Sequence, residues 1–165
     1  MITIQGDSMI KDLKHRNFQN KFPSHRFYVK SYAGATKADM SHYIQPSVKH
    51  LPDLLVVHCE TNSLKEQKCV KDIANEIAIL ACCPKHTNNN VIVLSIIYRE
   101  DKLKTKAAEV NVFLQQICQE LDIGYHGNSN IVCEHLTFTS RFLGLHLTKV
   151  GSDILFNDLV VSFIL

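Results

Sequence analysis

Two short apolar runs constrain the fold of this chain more than any other feature. Leu54-Leu55-Val56-Val57 and Val91-Ile92-Val93-Leu94-Ser95-Ile96-Ile97 are nearly continuous and rich in β-branched residues. Runs of that kind suit strands buried on both faces of a parallel sheet. Ile2-Thr3-Ile4, Phe27-Tyr28-Val29 and Ile123-Gly124-Tyr125 read as further strands, giving five in all. Helical spacing fills the gaps between them: Val70, Ile73, Ala74, Ile77, Leu80 and Ala81 recur at three and four, and so do Ala107, Val110, Phe113, Leu114, Ile117 and Leu121. Asp39 to His50 reads as a weaker helix that Pro46 must start, kink or split, because proline supplies no N–H. A last helix is expected over Ser152 to Phe163, with Gly144 and Gly151 punctuating the loop before it. This alternation predicts a three-layer α/β/α sandwich with right-handed crossovers and a five-stranded parallel sheet in flavodoxin-like order 2-1-3-4-5. A ligand site then belongs at the carboxyl ends of the strands.

Bulk properties narrow the function classes. The 165 residues, 45% of them apolar, suit one domain spanning 1–165. A net charge of +2 without a polybasic run gives no reason to expect direct contact with nucleic acid. No apolar stretch reaches the roughly 18 residues of a membrane span, and Met1-Ile2-Thr3 enters a strand without a signal peptide. The apolar end Leu159-Val160-Val161-Ser162-Phe163-Ile164-Leu165 suggests a domain cut from a longer polypeptide. Cysteines at 59, 69, 82, 83, 118 and 133 form no Cys-x-x-Cys pair and fall mostly on segments that read as buried, so free thiols in the cytosol are expected. Cys82-Cys83-x-x-His86 and Cys133-x-His135 lack a matching second half at ligand spacing, and no structural metal is expected. His15, His25, His42, His50 and His86 lie in polar surroundings and read as surface residues.

The chemistry gathers at one rim. The first strand ends in Gly6-Asp7-Ser8, a corner that opens what reads as a helix. A serine there meets unpaired N–H groups and the positive end of a helix dipole, which favours a nucleophile beside a developing oxyanion. The same two residues also suit a plain turn with an N-cap. The second strand delivers Ser31-Tyr32-Ala33-Gly34-Ala35, and the third His58-Cys59-Glu60-Thr61-Asn62. The loop before the last helix delivers Gly144-Leu145-His146.

These four blocks, in this order, resemble the SGNH (GDSL-like) hydrolases over nearly the whole chain: Gly6-Asp7-Ser8, Gly34, Thr61-Asn62 and His146. Within that superfamily the wording is similar to the esterase domains of first-open-reading-frame proteins of non-LTR retrotransposons. The similar stretches are Glu109-Val110-Asn111, Asn128-Ser129-Asn130-Ile131, and Gly144-Leu145-His146-Leu147 before Gly151. The resemblance implies that Ser8 attacks an ester carbonyl and His146 takes its proton. It also implies that the N–H groups of Ser8 and Gly34 and the amide of Asn62 hold the oxyanion. A glycine admits close approach to backbone, and an asparagine amide is a donor indifferent to pH. No cofactor is implied, and the substrate class is a short-chain acyl or acetyl ester.

Two departures stand out. Glu60-Thr61-Asn62-Ser63 stands where related sequences read Gly-Thr-Asn-Asp, which sets a carboxylate near the oxyanion donor. The family's acid, three residues before the histidine, is Leu143 here. A Ser8–His146 dyad remains, with a backbone carbonyl near Leu143, Glu134 or Asp153 as alternative partners for the imidazole. Rival readings are a catalytically silent domain that binds a lipid or acylated partner or assists self-association, and a nucleotide binder of the same topology. Asp7 in the first loop would repel phosphate and weighs against the last.

Overall fold

The structure, a computed structural model, describes residues 1–59, 62–87, 90–138 and 143–164, of which 143–145 and 164 by backbone alone. Five parallel strands form the main sheet in the order β2-β1-β3-β4-β5, as the sequence predicts. They are β1 (Ile2–Asp7), β2 (Phe27–Tyr32), β3 (Leu54–His58), β4 (Asn90–Leu94) and β5 (Gly124–His126). The apolar runs divide between the faces with the two-residue period of a strand. Leu55, Val57, Val91 and Val93 face α2 (Lys37–Lys49), α3 (Val70–Lys85) and α4 (Lys104–Glu120). Ile2, Ile4, Val56 and Leu94 face a 3₁₀ helix (Ser8–His15), α1 (Phe18–Lys21) and α5 (Lys149–Ile164).

Several boundaries move for identifiable reasons. β4 stops at Leu94, short of the expected Ile97. Ser95 N–H still reaches His126 O at 2.9 Å, but the next N–H and C=O, those of Ile96, are taken by the Asn111 side chain at 2.7 and 2.8 Å. An asparagine on α4 thus peels the chain off the sheet. Asn128 does the same for Ser95, donating through Nδ2 to its carbonyl and hydroxyl. α2 starts two residues early, where Thr36 and Asp39 form a capping box, and runs on through Pro46 to Lys49. α5 starts at Lys149 instead of Ser152, because the Thr148 hydroxyl accepts from Gly151 N–H at 3.1 Å. Gly151 is therefore helical, and a Cβ on it would come within 2.5 Å of His135 O.

One element has no counterpart in the sequence reading. β6 (Leu136–Phe138) and β7 (Leu143–Leu147) pair antiparallel as a separate two-stranded sheet, with a bulge between the pairs Thr137–His146 and Phe138–Leu143. What reads as a loop before α5 is thus a strand. Cys59 and Cys118 are buried as expected, whereas Cys69, Cys83 and Cys133 are exposed, and all six are free thiols. The five histidines assigned to the surface are exposed.

Candidate active site

β1 lies between β2 and β3, with Gly6 opposite Ser31 on one side and His58 on the other. Ser8 therefore leaves the sheet between the chain ends that carry Gly34 and Asn62. Asp7, wholly buried at the end of β1, accepts from Met9 N–H at 2.9 Å and so caps the 3₁₀ helix. Ser8 is the first residue of that helix and half-buried. The turn-and-cap role falls to Asp7, which fixes the corner, and Ser8 follows it as the first residue of the helix.

His146 arrives from β7, near the far end of the sequence from Ser8. Its Nε2 lies 3.3 Å from Ser8 Oγ, across 138 residues. That is within reach for proton transfer in a site without substrate, where catalytic hydrogen bonds are commonly long. The register Thr137–His146, and the bond from Thr137 Oγ1 to Leu147 O at 3.2 Å, hold the histidine on a paired strand.

The two proposed oxyanion donors are tied to each other. Asn62 Nδ2 donates to Ala35 O at 3.1 Å, the residue after Gly34. One amide hydrogen fixes the side chain, and an amide nitrogen carries a second. Gly34 has φ +74°, a left-handed conformation that glycine adopts without strain, with nothing within 4 Å of where a Cβ would stand. Its backbone is exposed. Glu60 and Thr61, the other members of that block, lie outside the described residues.

Electrostatics favour a neutral imidazole. Burial lowers the His146 pKa below the ordinary histidine value, and the Lys11 ammonium lowers it further, against Asp7 and Asp12, which raise it. Neither acid suggested by the sequence is committed to His146. Asp153 is half-exposed and 3.1 Å from Arg16, and Glu134 is 79% exposed, 3.4 Å from His135 Nε2. The carboxylates whose charge acts on His146 are instead those of Asp7 and Asp12, both beside Ser8 in the chain. Sequence reasoning passed over Asp12 and Lys11 because nothing in a short polar helix marks which of its residues will face a histidine 134 positions on. Asn111 and Asn128 spend their amides on the backbone of Ile96 and Ser95, a structural task. A cavity of about 730 Å³ opens at the carboxyl ends of β4 and β5, lined by Ser95, Tyr98, Arg99, Asn111 and Asn128 among others; Ser8 and His146 do not line it.

No family model matches this sequence, and no curated protein matches it. Solved structures match its fold. A GDSL-like lipase from Bacteroides thetaiotaomicron superposes with a TM-score of 0.73 at 14% identity, covering 99% of this chain and 86% of that one. A lipase/acylhydrolase from Enterococcus faecalis gives 0.76 at 15% identity, covering 98% and 94%. A catalytic mutant of an acetylxylan esterase from Geobacillus stearothermophilus gives 0.77 at 13% identity, covering 97% and 92%. The chain has the fold of these GDSL-type hydrolases.

Proposed function

We propose that this chain is a serine esterase that hydrolyses short-chain acyl or acetyl esters, within the SGNH superfamily and as a module of a retroelement-encoded protein. The observation that carries the reading is the 3.3 Å approach of Ser8 Oγ to His146 Nε2 at the carboxyl end of β1. The resemblance of the four blocks and the shared fold support it. In the reaction, Nε2 accepts the Ser8 proton as Oγ adds to the ester carbonyl. The N–H groups of Ser8 and Gly34 and the Asn62 amide receive the oxyanion. The imidazolium returns the proton to the departing alcohol, leaving an acyl-Ser8 ester. Water then adds with His146 again as base, releasing the carboxylic acid and the serine. The residues present require no cofactor or metal for these steps.

The second reading, a silent domain that binds a lipid or acylated partner or aids self-association, draws on Leu143 at the acid position and on the other engagements of Asp153 and Glu134. In a protease triad the orienting carboxylate is worth about 10⁴ in kcat. A fluorophosphonate probe followed by mass spectrometry, with turnover of a chromogenic acetyl ester, separates the two. The esterase labels at Ser8 alone, and Ser8→Ala loses both labelling and turnover with its melting temperature nearly unchanged. Labelling at Ser31, Ser95 or Ser129, or none, favours the second reading.

A further inference from the structure

His58 is a polar residue where a strand core calls for an apolar one. It ends β3 in the middle of the sheet, its side chain is wholly buried, and the proton-transfer steps above do not use it. Among the described residues neither of its ring nitrogens makes a hydrogen bond. A buried imidazole with an unsatisfied nitrogen costs stability, so some other contact must account for its place. That contact is with Asp7: His58 Nδ1 lies 3.2 Å from Asp7 Oδ1, with both side chains inaccessible to water. The approach is close but off the line of a well-formed hydrogen bond. The same Oδ1 accepts from Met9 N–H at 2.9 Å. One carboxylate oxygen thus accepts a hydrogen bond from the first turn of the helix that begins with Ser8 and lies against the ring of His58 on the third strand.

The backbone is arranged to permit this. Gly6 is the register partner of His58, and a Cβ on Gly6 would come within 2.9 Å of His58 Cβ and 2.4 Å of His58 O. The glycine before Asp7 lets β1 close onto His58, and the closure brings the carboxylate within reach of the ring.

We propose that His58 is a positioning residue for the nucleophile: through Asp7 it fixes the corner that sets the Ser8 hydroxyl against His146. This rests on the reading of Ser8 as nucleophile. The ring is assigned no part in the chemical steps. It restrains Asp7, Asp7 restrains Met9 N–H, and the helix start follows. Substrate binding depends little on this chain of contacts, whereas alignment of Oγ with Nε2 depends on it directly.

The test compares His58→Leu, which removes the ring nitrogen beside Asp7, with His58→Asn, whose Nδ2 can stand where Nδ1 stood, and with Val56→Ala as a control for lost stability on the same strand. His58→Leu should lose kcat by about 10- to 100-fold with KM within about threefold, as expected when only transition-state alignment is impaired. Fluorophosphonate labelling of Ser8 should slow in parallel. His58→Asn should recover most of the rate, and Val56→Ala, at equal or greater loss of melting temperature, should keep wild-type kcat. Equal rates in His58→Leu and His58→Asn, or a kcat loss in Val56→Ala matching its loss of stability, would overturn the proposal. If the wild type itself neither labels nor turns over, the reading of Ser8 falls separately. The restraint that His58 places on the corner through Asp7 is then read from hydrogen exchange at Met9 N–H: protection lost in Leu and kept in Asn upholds that restraint, and equal protection in both refutes it.

Discussion

Two glycines of the site are needed for opposite reasons, and alanine separates them. At Gly6 the backbone is extended and the obstacle is space: a Cβ would meet His58 O at 2.4 Å and His58 Cβ at 2.9 Å. Both atoms belong to a strand locked between β1 and β4, so neither can swing aside as the tip of a long side chain could. Overpacking a well-filled interior costs about 1–3 kcal/mol, and a clash with backbone in the central strand belongs at or above the top of that range. Alanine regains about 0.4–1 kcal/mol by restricting the unfolded chain, leaving a net loss of about 2–3 kcal/mol. At roughly 2–4 °C per kcal/mol for a chain of this size, Gly6→Ala should melt some 4–12 °C below wild type. At Gly34 space is open and the obstacle is φ +74°, worth about 1–2 kcal/mol for an L-residue before the same compensation, so Gly34→Ala should lose about 1 kcal/mol or less. Calorimetry of both variants, with Ser8 labelling rates, checks the order. Labelling should drop in Gly6→Ala, because the strand carries Asp7 and Ser8 with it. A Gly6→Ala protein that melts within about 2 °C of wild type would refute the argument, by showing that β3 gives way freely.

Other outcomes follow from the site's geometry and charges. The acid limb of kcat/KM should fall below the histidine reference of about 6.5, since burial and Lys11 lower the His146 pKa and the neutral base survives to lower pH. Lys11→Gln removes a lowering charge and should move that limb up in pH, and Asp12→Asn removes a raising one and should move it down; a limb unmoved by both means that another group titrates. Asn62→Ala should reduce kcat by about 10²–10³ with little change in KM, the usual loss for one oxyanion donor, and steady-state kinetics on an acetyl ester reads it. Leu143→Asp should raise kcat by on the order of 10-fold if it orients His146, since a grafted carboxylate seldom finds full support; a folded variant no faster than wild type would mean that another group already holds the imidazole. Burial also lowers the His126 pKa, with Asp158 opposing. The unfolded chain therefore binds protons there that the native state refuses, and urea midpoints should fall as pH drops from about 6.5.

The layers and the strand order were legible because buried parallel strands write themselves as unbroken apolar runs, and Val56 or Val93 allows no other reading. The small sheet of β6 and β7 was not legible, because its strands are only three and five residues long and a bulge interrupts their pairing. That gap put His146 in a loop, yet its chain order still placed it at the site. Asp7 could be read as a cap or as part of a nucleophile block, and only the 2.9 Å bond to Met9 N–H shows that it caps. His58 was visible as one polar letter at the end of an apolar strand, but its task depends on Gly6 across the ladder, a pairing that no local window contains.

The position of Leu143 shows why a motif and a site can part. A spacing of three residues specifies a reach between side chains only if the backbone between them has a fixed conformation. Here Leu143 and His146 lie on one strand, and a bulge separates their pairings with Phe138 and Thr137, so the backbone between the two positions is not the regular one that the spacing assumes. The charges that do act on His146, from Asp7, Asp12 and Lys11, come from the segment around Ser8 itself. Ser8 and the charges around His146 are thus carried by one corner of the chain, and a substitution in the 3₁₀ helix perturbs both at once. Kinetic effects of paired changes at Asp12 and Ser8's neighbours should accordingly fail to add, as expected of groups that share partners.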